Sequence, residues 1–279
     1  MTLRLKSNIA DTCTITMAFD GRINIVDIDE DERTVVFDLY RSKKITGTRV
    51  GAILGQNEFT SPFKVACEMA GLYPGDKDNK YLEAGNVCEP IIRKYVRTKC
   101  IESIAEDLGL QDGKVPVIEE PVDREQCGYD HFHNNKVFGG LVDGYVSVDG
   151  RRTAVLEIKT ASDRTKWLDE EGNVTQVPKS YMLQASLYAE LSNLDKIVFA
   201  VSFLNEEDYD RPRFWTANEE NTHILVVDKL DMEEPMRECE AWYKEYILGG
   251  YTPEWSDSES DQEVLKYLKS YKPDKKGRR

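Results

Sequence analysis

Long apolar runs are missing from this 279-residue sequence; stretches without a polar side chain end after a handful of residues, as in Ile197 to Val201. A helix that crosses a bilayer needs ~20 such residues, so no membrane span is expected. The start, Met1 to Lys6, has no apolar segment followed by small residues, so no secretory signal is read and a cytoplasmic location is expected. Histidine is scarce, at three, and the six cysteines (Cys13, Cys67, Cys88, Cys100, Cys127, Cys239) form no C-x-x-C pair. That excludes the common zinc patterns and a dense disulfide framework, leaving reduced thiols as the expectation. Positive charge is also short, with Lys+Arg 37 against Asp+Glu 51 and a formal net charge of −14. Long-range attraction of a polyanion is therefore opposed, and any nucleic-acid binding must be local.

What is present fits a packed globular fold: 40% hydrophobic residues, 32% charged and ten prolines, in a chain long enough to bury a substantial core. From Thr12 to Tyr40 apolar and polar residues alternate around Asp20-Gly21, which predicts a β-hairpin continued by Thr34 to Phe37. Gly47 to Leu110 reads as helical, with Phe63, Met69, Ile91, Ile92, Tyr95 and Val96 at helical spacing. Val115 opens a second β-rich stretch that runs through Phe138 to Val148 and, after the turn Asp149-Gly150, from Thr153 to Lys159. Asp169 to Asn173 reads as an exposed loop. A helix then opens near Pro178 and carries Tyr181, Leu183, Leu187, Tyr188 and Leu191. Strands over 197–204 and 222–227 and a helix over 231–248 complete the pattern.

No linker is long or biased enough to divide the chain. The expectation is one α/β domain over 1–279, with a β-rich N-terminal extension over 1–40, a core over 41–250 and a tail over 251–279.

The chemistry concentrates in Gly139 to Tyr145 and Val155 to Thr160, a D-x13-E-x-K pattern. Glu157 and Lys159 lie two apart on a strand and share one face, with Leu156 and Ile158 on the other. If Asp143 sits on the neighbouring strand of the hairpin, its carboxylate converges with Glu157 on a hard, oxygen-seeking cation such as Mg²⁺. Such an ion stabilises charge on a phosphodiester and lowers the pKa of its water, and Lys159 would orient that nucleophile or neutralise developing charge. An isolated E-x-K also occurs on ordinary solvated strand faces. Here the flanking apolar residues mark a central strand, where charge needs a reason.

These motifs, with Gly85-Asn86-Val87-Cys88-Glu89-Pro90 and Gln184-Ala185-Ser186-Leu187-Tyr188, fall in the order found in one nuclease family. Between about Arg41 and Leu204 the chain resembles a PD-(D/E)xK nuclease of the lambda exonuclease and YqaJ-type viral recombinase group. The resemblance implies a restriction-endonuclease-like core, a central mixed β-sheet flanked by helices. It implies catalytic roles for Asp143, Glu157, Lys159, Glu89 and Gln184, and metal ligation at Asp143, Glu157, Glu89 and Ile158, with Mg²⁺ or Mn²⁺ as the ion. Arg41 and Thr48 match a segment that grips a terminal 5′-phosphate, which suits the planar guanidinium fork and a hydroxyl donor. Tyr188, one turn from Gln184, is grouped with them as substrate-binding.

Taken singly, several of these residues also have plainer readings: Glu89 as a helix-start carboxylate before Pro90, Gln184 as a half-buried polar residue, and Arg41 to Thr48 as a solvated basic loop. Arg93, Lys94, Arg97 and Lys99 form either a phosphate-contacting helix face or solvated charge. A zinc site at His131 and His133 and an iron–sulfur cluster are not expected.

By resemblance, the implied activity is Mg²⁺-dependent digestion of linear double-stranded DNA from its ends, 5′ to 3′, generating 3′ single strands for phage-type recombination in a bacterial host cell. A single-strand annealing protein and a trimeric ring are the partners such relatives suggest; no membrane partner is expected. A structure-specific endonuclease and a catalytically inactive acidic interaction protein remain alternatives.

Overall fold

The computed structural model describes residues 13–19, 22–37, 43–75, 79–111 and 113–270. In chain order, strands β1 (Cys13–Phe19), β2 (Arg22–Asp29) and β3 (Thr34–Phe37) precede helices α1 (Gly47–Ile53), α2 (Pro62–Met69), α3 (Lys80–Lys99) and α4 (Ile101–Asp107). Then come β4 (Val117–Glu119), β5 (Gly144–Val148), β6 (Arg151–Ala161), α5 (Lys179–Leu191) and β7 (Lys196–Phe203). The last elements are α6 (Glu206–Asp210), β8 (Thr222–Asp228), α7 (Glu233–Trp242) and α8 (Glu259–Ser270). The described residues form two compact units, one within 13–44, 52–75 and 235–270, the other within 45–51 and 79–234.

In the first unit β1, β2 and β3 make an antiparallel meander. Phe19 pairs with Arg22, the register of a two-residue connection. The Asp20-Gly21 turn expected there lies outside the described residues. Val26, Ile28, Val35 and Phe37 alternate onto one buried face and pack with Phe63 and Cys67 of α2 and with Val264, Leu265 and Leu268 of α8. The expected tail over 251–279 is therefore structured as far as residue 270. Its acidic composition masks an apolar stripe at helical spacing. Residues 271–279, including the basic run from Lys275, lie outside the described residues.

The second unit is built on a five-stranded sheet of order β4-β5-β6-β7-β8. β6 and β7 are parallel, joined through α5, and the other pairs are antiparallel, so the sheet is mixed and flanked by helices. α3 starts at an Asn79 cap whose side chain accepts from Tyr81 N at 2.9 Å. Its residues Ala84, Cys88, Ile92 and Val96 recur every fourth position and bury against Leu156, Ile158, Val198 and Ala200 of the sheet. Pro90 lies inside this 20-residue helix, so Glu89 is a mid-helix residue and not the helix-start carboxylate its sequence context allowed. Packing of that stripe outweighs the one main-chain hydrogen bond proline removes.

The expected strand continuity from Val115 to Val148 is mostly absent. Between β4 and β5 the chain turns repeatedly, and Phe138 forms only an isolated bridge with Ile45. Side chains take the place of a ladder here: Asp123 Oδ1 accepts from Glu125 N at 2.8 Å, and Asn135 Oδ1 from Phe138 N at 2.8 Å. Among the described residues no helix is long and apolar enough to cross a membrane.

Candidate active site

The hairpin of β5 and β6 sets the site. Asp149 and Gly150 both have positive φ, 51° and 74°, as a tight two-residue turn requires. From that turn the register places Gly144 opposite Leu156, which brings Asp143, just before β5, level with Glu157. Gly144 is required by β4, since a Cβ there would lie 2.9 Å from the Glu119 carbonyl oxygen. Asp143 Oδ2 accepts from the Ile158 main-chain N–H at 2.7 Å. Leu156 and Ile158 bury in the core, and Glu157 and Lys159 take the other face, as period two dictates.

Glu157 is fully buried. Its Oε1 accepts from Gln184 Nε2 at 2.6 Å and from Lys159 Nζ at 2.7 Å, whereas Oε2 is buried and has no hydrogen-bond partner among the described residues. Burial drives the Glu157 carboxyl up to about 8, and the neighbouring Asp143 charge adds to this against the opposing pull of Lys159. Asp143 is likewise held above the usual carboxylate range by burial, with Lys159 and the Ile158 N–H pulling the other way. For Lys159 burial acts downward, but Glu157 and Asp143 more than offset it and hold the ammonium above its ordinary value.

Glu89 joins this group from α3. Burial and the Asp143 charge raise its carboxyl, partly countered by Arg93. Gly85, one turn earlier, faces β6, where a Cβ would meet Thr160 Oγ1 at an ordinary contact distance of 3.6 Å. Arg93 pairs with Glu89 one turn away and donates from Nε to the Asp143 carbonyl oxygen at 3.0 Å. It therefore braces the cluster instead of forming an open phosphate-contacting face. Arg97 is paired with Glu120, and Lys94 and Lys99 remain exposed.

Gln184 and Tyr188 project from α5 as the sequence predicts, but to different ends. Gln184 orients Glu157, while Tyr188 is buried and its hydroxyl accepts from Gly47 N at 3.2 Å. A Cβ at Gly47 would lie 2.6 Å from Gln184 Cγ, and one at Gly140 (φ 137°) would lie 2.5 Å from the Tyr188 oxygen. These glycines let two chain segments clasp α5. Thr48 is exposed at the start of α1, its Oγ1 3.0 Å from Thr46 Oγ1; Arg41 lies outside the described residues.

Sequence reasoning missed the bracing of the Asp143 loop. His131 Nδ1 accepts from Val142 N at 3.1 Å while its Nε2 faces the Val122 carbonyl at 3.0 Å, and Asp130 Oδ1 accepts from Gly140 N at 3.0 Å. The H-x-H spacing drew attention to metal ligation and away from this role.

Among the described residues no three His, Cys, Asp or Glu side chains come together closely enough to hold a metal ion by themselves. Of the expected ligands, Asp143, Glu89 and Glu157 with its unpartnered Oε2 would offer carboxylate oxygen, and Ile158 could offer only its main-chain oxygen, since its side chain has no ligand atom and is buried in the core. Such all-oxygen chemistry fits a hard divalent cation, and so does a pocket where burial makes carboxylate charge costly.

A family model described as the YqaJ-like viral recombinase domain matches residues 37–195, more than half of the chain. The chain belongs to that family. Glu89, Asp143, Glu157, Lys159, Gln184 and Tyr188 of this YqaJ-like domain all lie within the match. It is 28% identical over 255 residues to the protein MG373 of Mycoplasma genitalium, covering 78% of this chain and 85% of the relative. The MG373 homolog of Mycoplasma pneumoniae is also 28% identical, over 249 residues, with coverage of 76% and 83%. Similar solved structures include the alkaline exonuclease LHK-Exo from Laribacter hongkongensis, at 16% identity and TM-score 0.45, covering 81% of this chain and 91% of that one. A phage related exonuclease from Haemophilus somnus 129PT aligns at 13% identity and TM-score 0.44, covering 82% and 95%.

Proposed function

We propose that this YqaJ-like domain is a Mg²⁺-dependent deoxyribonuclease, with Mn²⁺ as a substitute ion, that digests linear double-stranded DNA from its ends. The observation that carries the reading is the buried, unpartnered Glu157 Oε2 in a cluster with Asp143 and Lys159. Leaving such an atom unsatisfied costs about 1–3 kcal/mol, a penalty that a ligand absent from the folded chain would remove.

Asp143, Glu157 and main-chain oxygen at Ile158 would hold the ion, with Glu89 alongside. When bound, it supplies charge stabilisation to the phosphodiester and lowers the pKa of a water molecule. Gln184 fixes the Glu157 carboxylate, and Arg93 fixes both Glu89 and the main chain of Asp143. The Lys159 ammonium, kept protonated by its acidic neighbours, orients the attacking water and offsets negative charge at the phosphate. Arg41 and Thr48 grip a 5′-terminal phosphate. On this reading digestion runs 5′ to 3′ and leaves 3′ single strands for recombination, handed to a single-strand annealing protein, with the enzyme assembled as a trimeric ring.

The deciding experiment digests linear duplex labelled separately at each terminus, with and without Mg²⁺, beside a covalently closed circle. The expected result is metal-dependent release from the 5′-labelled end and an intact circle. Cleavage of the circle would make the domain an endonuclease, and no release with either Mg²⁺ or Mn²⁺ would leave it a non-catalytic protein.

A further inference from the structure

Lys159 has a second contact besides Glu157: its Nζ stands 5.0 Å from the centre of the Tyr181 ring. Tyr181, Gln184 and Tyr188 lie at i, i+3 and i+7 on α5, so one stripe of this helix reaches three parts of the site. Gln184 holds Glu157, Tyr188 is clasped by the two glycines, and Tyr181 meets the ammonium. The ring is itself held in place. Trp167, 1% exposed, stacks on Tyr181 with centroids 5.7 Å apart and planes at 27°, and Trp167 in turn packs edge-on against Phe203.

A lysine head group on a four-carbon stem loses much rotamer freedom when fixed, and the Glu157 Oε1 that pairs with it also accepts from Gln184. An aromatic face attracts the ammonium through its quadrupole without using any carboxylate lone pair. We infer that Tyr181 is a positioning residue for Lys159, holding the ammonium at the site through its ring independently of how Glu157 is engaged. The inference rests on the nuclease reading for its effect on turnover, but not for the ring contact. Only the ring matters, so phenylalanine substitutes for tyrosine here and leucine does not.

The test uses the full chain with ¹³C-labelled lysine, the Lys159 resonance being assigned from Lys159→Arg. In the wild type and in Tyr181→Phe the ε-CH₂ signal of Lys159 lies upfield of the other lysines through the ring current, and in Tyr181→Leu it returns to their position. With Mg²⁺ and linear duplex, Tyr181→Leu lowers kcat by about tenfold with KM little changed, and Tyr181→Phe keeps kcat. An unshifted Lys159 signal in the folded wild type overturns the contact. A shifted signal with unchanged kcat in Tyr181→Leu overturns the positioning role, as does a loss expressed only in KM, which would make Tyr181 a DNA contact. A wild type that shows the ring-current shift yet digests no DNA overturns the nuclease reading, and the effect on turnover goes with it.

Discussion

Asp261 and Glu157 are both carboxylates withdrawn from solvent, at 1% and 0% exposure, one in each unit of the chain, and their surroundings are opposite. Asp261 has donors on both oxygens. Its Oδ1 accepts from Ser61 Oγ, and its Oδ2 from both the N–H and the Oγ of Ser256 at 2.7 Å. Ser61 Oγ in turn accepts from Lys64 N at 3.0 Å and so caps α2, which ties α8 to α2 through one acid. Glu157 has donors on one oxygen only, beside further acidic groups. A buried carboxylate with donors on both oxygens holds a fold together. One left half-answered is kept at a cost to stability, which on the proposed reading a bound cation would remove.

The widest separation of the two should appear on exchanging Glu157 for glutamine. Turnover is expected to fall about a thousandfold, while thermal unfolding stays within a few degrees of wild type because the amide keeps the shape of the side chain and, like the protonated carboxyl that burial favours, carries no charge. Normal nucleotide release by Glu157→Gln would remove it from the site. Asp261→Ala should do the reverse, costing about 3 kcal/mol in urea unfolding and leaving kcat per folded molecule unchanged. Lost turnover at a temperature where this variant is fully folded would erase the distinction.

A finer contrast lies in pH. Without metal the Glu157 carboxyl titrates near 8, above its ordinary 4.5, so the folded chain retains a proton that the unfolded chain releases. Its contribution to stability is full below the lower value, falls as pH rises between the two and levels off above the higher. The difference in unfolding free energy between wild type and Glu157→Gln should therefore slope over that window and flatten on adding Mg²⁺. A difference that is independent of pH would show that Glu157 is ionised throughout.

Much of this arrangement could be read from residue order because the elements that carry it are periodic. The turn at Asp149-Gly150, the opposed faces of β6 and the helix α5 followed from alternation and helical spacing, whereas the parallel pairing of β6 with β7 did not. The acids themselves were placed by motif. Where order comes instead from individual side chains bonded to nearby main chain, as in residues 120–143, no period exists to detect. Charge misled twice. Arg93 has the composition of a surface helix and yet braces two parts of the site, and the acidic stretch after Tyr251 hides the buried stripe of α8. Pro90 suggested a helix start because its local preference is strong, and the packing of α3 overrode it.

The tip of the β5 and β6 hairpin lies at the end away from Asp143 and Glu157, about 20 Å along the strands, and its two residues already adopt the left-handed backbone of a tight turn. It is a handle. A fluorophore, a surface tether or a short peptide tag grafted at Asp149-Gly150 should leave the opposite end of the hairpin untouched, so that the proposed action on linear duplex can be tested on single molecules.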